Sequence, residues 1–182
     1  ALDNKGVALA LPVNFGNATT HGCEVIASVF PVKFWSANLS ASCYQQNIDG
    51  SNINTELANS VFSWYGKWVN NLSLWKGSKL QLIFNYNSPI GTPQGQKIEI
   101  YYGDLGFQQK ILKGRGAIGL VATDVLNTQR NGYRATTASF QNYRYSKIDT
   151  RAILATFAYS FGASFKEELL EYIYNKYYLE TN

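Results

Sequence analysis

Residues 35–43 read WSANLSASC, and every second residue changes character. Trp35, Ala37, Leu39, Ala41 and Cys43 fall on one face of an extended chain, and Ser36, Asn38, Ser40 and Ser42 fall on the other. A period of two marks a strand whose two faces meet different surroundings. The alternation returns in 79–86, KLQLIFNY, where Leu80, Leu82, Phe84 and Tyr86 oppose Lys79, Gln81, Ile83 and Asn85. It returns again in 151–161, RAILATFAYSF, with Ile153, Phe157, Tyr159 and Phe161 against Ala152, Thr156, Ala158 and Ser160. A soluble sandwich would bury the apolar face and put charge on the other. Here the other face is mostly Ser, Asn, Gln, Thr and Ala, which suits a wet or plugged lumen with lipid outside.

Composition agrees with that reading. The chain has 182 residues, enough for one ordinary domain. Apolar residues make up 46% and aromatics 15%, while charged residues reach only 15%, well under the roughly 25% of a soluble domain. Mean hydropathy is nevertheless slightly polar at -0.19, and no apolar run approaches the ~18 residues of a membrane helix. A helical membrane protein, a disordered chain and a disulfide scaffold are thereby excluded. A strand-built membrane barrel fits, and on composition alone a soluble all-β domain stays open. Two cysteines make neither a metal cluster nor a dense disulfide framework. A net charge of +4, scattered along the chain, does not argue for nucleic acid. No Met, basic leader or signal-like apolar core opens the chain, so residue 1 reads as a processing site or a fragment boundary.

The pattern predicts strands at about 20–30, 36–48, 59–73, 78–88, 97–110, 115–127 and 146–161, with a weaker extended segment near 6–15. Each long strand meets the ~9–11 residues that cross a bilayer at a tilt. Short turns at PVKF (31–34), WKG (75–77) and LKGR (112–115) alternate with longer polar loops at 49–58, 89–96 and 128–145. Gly77 stands where a three-residue hairpin wants a left-handed residue, and Lys113–Gly114 suits a two-residue turn. Short turns on one side and long loops on the other is the layout of a bacterial outer-membrane barrel. Aromatics gather near the strand ends: Phe34, Trp35, Trp75 and Phe161 toward the short turns, and Tyr44, Trp64, Tyr65, Tyr86 and Tyr102 toward the loops. They are candidates for interfacial girdles, although aromatics are also good strand formers in their own right.

Three stretches resemble a known family. NFGNATTHGCEVIASVFPVKFWSANLSASCYQQNIDGS is similar to a strand–turn–strand stretch of Bacteroidetes-type TonB-dependent receptors. DLGFQQKILKGRGAIGLVATDVLNTQR resembles their D-L-G segment and the D-x-x-N-T strand end that follows it, and RAILATFAYSFG resembles their last strand. The resemblance spans about residues 14–162. It implies an all-β fold, an antiparallel transmembrane barrel of about 22 strands around an N-terminal plug, of which residues 1–162 would be the last seven to eight strands. It implies import of a large or scarce nutrient of the siderophore, glycan, vitamin or peptide class. The implied partners are outer-membrane lipid and lipopolysaccharide, the rest of the same receptor, the TonB energy-transducing complex acting through the plug, and a surface lipoprotein or other membrane subunits. Phe157, Tyr159 and Phe161 would form the terminal signal read by the barrel-assembly machinery. A scaffold subunit of a larger outer-membrane assembly or secretion complex, and a stand-alone eight-stranded barrel, are the alternatives.

Catalysis has little support. His21 is the one histidine, and no nucleophile elbow accompanies it. Asp104 and Asp124 are a conceivable acid–base pair on adjacent strands, but read more naturally as rim carboxylates bonded to neighbouring strands. GRGAIG (114–119) lacks the Lys-Ser/Thr and the helix of a phosphate loop. The expectation is no enzyme, no cofactor and no metal. Lys33, Lys76, Lys79, Lys110, Lys113 and Arg115 lie in or near the short turns, within reach of anionic headgroups. Arg130, Arg134, Arg144 and Lys147 mark a basic outer loop that would meet lipopolysaccharide phosphates or an acidic ligand. After Phe161, ASFKEELLEYIYNKYYLE carries Phe165, Leu169, Ile173 and Tyr177 at helical spacing behind a Ser164/Glu167 capping box. Residues 163–182 are therefore expected to form a short amphipathic helical tail in the periplasm, the rest of the chain lying in the bacterial outer membrane.

The first hairpin also fixes a register. If Pro31 pairs with Trp35 across the turn, Val29 falls opposite Ala37, Ala27 opposite Leu39, Val25 opposite Ala41 and Cys23 opposite Cys43. The two cysteines are then a candidate cross-strand pair, bonded only where the opposed Cβ atoms come close.

Overall fold

The computed structural model describes residue 14 and residues 16–53, 57–136 and 141–161. The alternating segments become strands: β1 (Asn17–Val32), β2 (Trp35–Asp49), β3 (Ala58–Leu72), β4 (Ser78–Asn87), β7 (Ile100–Ile111), β8 (Gly116–Thr123) and β11 (Ala152–Tyr159). These seven pair antiparallel in the order β1-β2-β3-β4-β7-β8-β11, an up-and-down meander. The outer edges of β1 and β11 have no strand beside them among the described residues, so the sheet is open there. The helical tail, its Ser164/Glu167 cap and most of the 6–15 segment lie outside the described residues.

Two loops hold more order than their sequences suggest. Residues 89–96 contain β5 (Ile90–Thr92) and the start of β6 (Gly95–Lys97), and 128–145 contain β9 (Asn131–Thr136) and most of β10 (Gln141–Ser146). They form a second sheet, β10-β9-β6-β5, at the long-loop end. The expected strands 115–127 and 146–161 are correspondingly shorter. β8 stops at Thr123 because Asp124 and Asn127 turn left-handed at φ 43° and 52°. β11 begins only at Ala152, so both strands have eight residues, slightly under the ~9–11 expected for a full crossing.

The short turns occupy one end of the sheet. β1 turns into β2 through Lys33 and Phe34, with Val32 paired to Trp35 and a register shift between Val29 and Val32. Pro31 therefore does not pair with Trp35. It has no N–H to give a ladder, and an irregularity is where a strand tolerates it. Beyond that shift, the pairing runs Val29–Ala37 to Cys23–Cys43. Gly77 takes φ 79° in the next turn, as its position demands. The third turn is not the two-residue type. Leu112, Lys113 and Gly114 are all left-handed, and Ile111 pairs with Gly116 around four residues.

Register carries the alternation across the whole sheet. One face runs Trp35–Leu72–Leu80–Phe107–Leu120–Ala155 and, nearer the middle, Leu39–Trp68–Phe84–Gly103. The other runs Ser36–Asn71–Gln81–Gly106–Val121–Leu154 and Ser40–Lys67–Asn85–Tyr102. Burial is inverted relative to a water-soluble domain. Leu39 is 46% exposed and Phe157 65%, while Gln108 and Asp104, on the polar face, are buried at 2% and 5%. The polar face lines a cavity of about 900 Å³ at the short-turn end, bordered by Ser36, Asn38, Lys67, Asn71, Lys79 and Gln108 among others. Large apolar side chains turned outward from a polar interior need a non-aqueous exterior.

Candidate functional site

At the short-turn end, two of the candidate interfacial aromatics, Trp35 and Trp75, lie on the apolar side of the sheet. The Trp35 indole N–H donates to Asn70 Oδ1 at 3.1 Å, and the Trp75 indole N–H donates to Gln109 Oε1 at 2.7 Å. Trp75 also meets Phe107 with centroids 5.9 Å apart, whereas Phe34, exposed in the first turn, borders the cavity of the polar face. At the other end Trp64 stacks on Tyr86 at 4.3 Å. Between the two lies Trp68, tilted against Phe84 at 6.0 Å. Trp68 was not singled out by sequence; only register reveals that it is mid-strand beside Leu39. Asn70 is the other surprise: a polar residue on the apolar face, buried under Trp35 and supplying its acceptor. Where β11 ends, Tyr159 meets Phe161 edge to face at 4.7 Å, and Ser160 N–H reaches the Arg115 carbonyl at 2.8 Å.

The long-loop end is organised by one carboxylate. Asp124 Oδ1 accepts the Thr128 N–H at 2.8 Å, both its oxygens face the Gln129 N–H, and Oδ2 accepts the Thr150 hydroxyl at 2.5 Å. Lys147 Nζ lies 3.8 Å from Oδ2 and donates to the carbonyls of Asn127 and Gln129 at 2.6 and 3.0 Å. The Asp124 N–H donates to Asp104 Oδ1 at 2.8 Å. The two aspartates are thus brought together, but in a knot of main-chain bonds and not as an acid facing a base. The knot ties the start of the 124–151 excursion to its return, and Thr123 adds a bond from its hydroxyl to the Thr150 carbonyl. His21 stands apart on β1, opposite Gln45.

The four basic loop residues separate into different roles. Arg130 is ion-paired with Glu99, and Lys147 is drawn into the Asp124 knot. Arg134 lies 5.7 Å over the ring of Tyr143, its partner across β9 and β10. Arg144 is on the opposite side of β10 from Tyr143 and Tyr145, and all three are exposed. Glu99's own backbone N–H, helped by Arg130, holds its carboxyl below the ordinary range. Hydrogen bonding from Arg151 does the same for Asp149. Two hydrogen bonds anchor the small sheet to β3, from Asn59 Nδ2 to the carbonyls of Thr92 and Gly95 at 2.8 and 2.7 Å. Sequence gave no hint of the Glu99 or Asn59 contacts, which depend on loops returning from far along the chain. Among the described residues no group of three or more His, Cys, Asp or Glu could hold a metal ion.

An antiparallel meander with its apolar face outward, its polar face inward, short turns at one end and folded loops at the other defines a transmembrane β-barrel protein. The chain matches the outer membrane protein beta-barrel family over residues 1–159 and belongs to that family, which places it in the outer membrane. No curated protein and no solved structure matches it.

Proposed function

We propose that these strands are the closing part of the barrel of a TonB-dependent transporter that imports a large or scarce nutrient. The observation that carries the reading is the direction of the two edge strands. β1 runs from the long-loop end to the short-turn end, and after six antiparallel steps β11 runs the same way. Joining β1 directly to β11 would make a parallel seam in an otherwise antiparallel barrel. An antiparallel closure needs an odd number of further strands between them. The resemblance of residues 104–130 to the receptor D-L-G and D-x-x-N-T segments supplies the rest. That stretch covers two thirds of β7, all of β8 and the Asp104, Asp124, Thr128 and Gln129 members of the knot, so the similar residues include the carboxylate that holds an outer loop in place.

In this reading the apolar face meets lipid, and Phe34, Trp35, Trp75, Trp64 and Tyr86 sit at the two bilayer boundaries. The short turns and residues 163–182 lie in the periplasm, where Phe157, Tyr159 and Phe161 end the barrel as its assembly signal. The polar face lines the lumen, which the plug would occupy and through which the TonB complex would act. Arg134, Arg144, Tyr143 and Tyr145 face the outside, where lipopolysaccharide or ligand arrives.

One further strand would also satisfy the parity rule, and the weak extended segment at 6–15 makes a self-contained eight-stranded barrel the second reading. The intact mass of the full chain, extracted from its native outer membrane, separates them. A mass far above 20.3 kDa is expected; a mass near that value selects the small barrel, whose lumen has room only for side chains. For transport itself, deletion of the full gene should abolish uptake of one scarce nutrient. That uptake should also stop when the proton gradient is collapsed. Gene-dependent uptake that is insensitive to the gradient would overturn energised transport, and no gene-dependent uptake at all would favour a scaffold role.

A further inference from the structure

We propose that Cys23 and Cys43 are a built oxidation site, closed into a disulfide that staples β1 to β2 on the outer face of the sheet. The two are register partners, and their Sγ atoms stand 3.1 Å apart, unbonded. A disulfide needs about 2.05 Å, so the sulfurs have only about 1 Å left to travel. Rotation about the two Cα–Cβ bonds is the motion that would close it. Gly22, next to Cys23, shows how closely the strands approach there: a Cβ at Gly22 would stand 2.5 Å from the Cys43 carbonyl oxygen.

The position also suits the chemistry. On the same face, the row toward the short turns is Val25–Ala41–Gly66, and the row toward the loops is His21–Gln45–Phe62. The cysteine row itself continues to Trp64, which stacks on Tyr86. The thiols therefore sit at the outward boundary of the apolar belt, within reach of a water-borne reagent, and Cys23 is exposed. Beyond the cytoplasm such pairs persist once oxidised. The oxidant belongs to the class of dithiol–disulfide oxidoreductases. One thiolate attacks the oxidant's disulfide, and the second displaces it from the mixed disulfide. Two protein thiols lose two electrons and two protons, and the oxidant leaves as its dithiol. β1 is an edge strand among the described residues. The bond would hold that edge in register while the rest of the barrel closes.

The test uses the full chain in its own outer membrane, quenched in acid, denatured in detergent and exposed to N-ethylmaleimide before trypsin digestion. Denaturation removes shielding by lipid. The expected result is no maleimide on either cysteine. Fragments 6–33 and 34–67 should run as one linked species, two hydrogens lighter than their sum, and a phosphine should release them. In a Cys43→Ser variant, Cys23 should take up one maleimide without reductant. Maleimide on both cysteines of the unreduced wild-type chain, or either cysteine bonded to any other thiol, overturns the proposal.

Discussion

At the scale of single residues, the deciding quantity is which way a side chain points. Leu39 and Ser40 are neighbours in β2 with opposite faces, and Leu39 shares its row with Trp68 and Phe84. Placing a charge at Leu39 would put it in the middle of the apolar belt. Leu39→Arg should destabilise the folded protein in lipid vesicles by about 2–4 kcal/mol, and Ser40→Arg by much less. Urea titration followed by tryptophan fluorescence measures both, and equal costs would invert or abolish the face assignment. Asp124 makes a different kind of prediction. Asp124→Ala takes the acceptor from the N–H groups of Thr128 and Gln129 and the hydroxyl of Thr150; all three donors are only half-buried, so each loss costs about 1 kcal/mol, the low end for a missing acceptor. Limited proteolysis should then cut first within 125–151, with the strands intact; an unchanged cleavage pattern would mean that other contacts hold the loop. The sequence displays the face of Leu39 plainly, because parity is a local property. It displays Asp124 only as a carboxylate near a strand end, because its acceptor role is created by Thr150 and Lys147 returning 26 and 23 positions later.

At the scale of elements, the long strands are legible because their two faces differ in chemical character over many residues, and the four short ones are not because they are too brief or too polar to show a period. β10 reads QNYRYS and is exposed along its whole length, so no apolar stripe announces it. β5 and β6 are three residues each, too short for any period to register. What holds this small sheet is polar: the two Asn59 bonds, the Tyr133–Thr92 hydroxyl contact at 2.9 Å, and the Arg130–Glu99 ion pair just outside it. Of these, only the Arg130–Glu99 ion pair titrates on acidification; the amide and hydroxyl bonds stay neutral. The carboxyls of Glu99 and Asp149 titrate below their ordinary values in the folded protein. Their contribution is therefore complete above the unfolded carboxylate range, and is lost as pH falls through the lower folded values. Acidification through and below that range should raise protease cutting in the β9–β10 region before the seven-stranded sheet responds. Simultaneous loss of both would show that the small sheet has no separate polar support. At the opposite end, changing Phe161 to Ser should reduce insertion into the outer membrane if the terminal aromatic is the assembly signal. Surface levels measured by protease shaving report it, and unchanged levels would remove Phe161 from that role.

At the scale of the whole molecule, the seven long strands and their faces follow from local alternation, but closure does not. No residue carries the information that β1 and β11 run the same way; it appears only when the strands are counted and every step is antiparallel. That count yields a direct test in the membrane-embedded chain, on a background with Cys23 and Cys43 replaced by Ser. Cysteines are introduced in pairs on the outer face, at Val25, Ala27 or Val29 of β1 and at Ile153, Ala155 or Phe157 of β11. The positive control is Leu120→Cys with Ala155→Cys, which are register partners across β8 and β11. Directly opposed Cβ atoms lie about 4.5–5.5 Å apart, so a short bifunctional thiol reagent spans neighbours. One intervening strand puts the two edges at about twice the ~4.8 Å strand spacing, beyond that reagent. The control should cross-link and no β1–β11 pair should, whether one strand or many complete the barrel. A β1–β11 cross-link as efficient as the control would establish a parallel seam between the two edges, and with it a barrel closed by these seven strands alone.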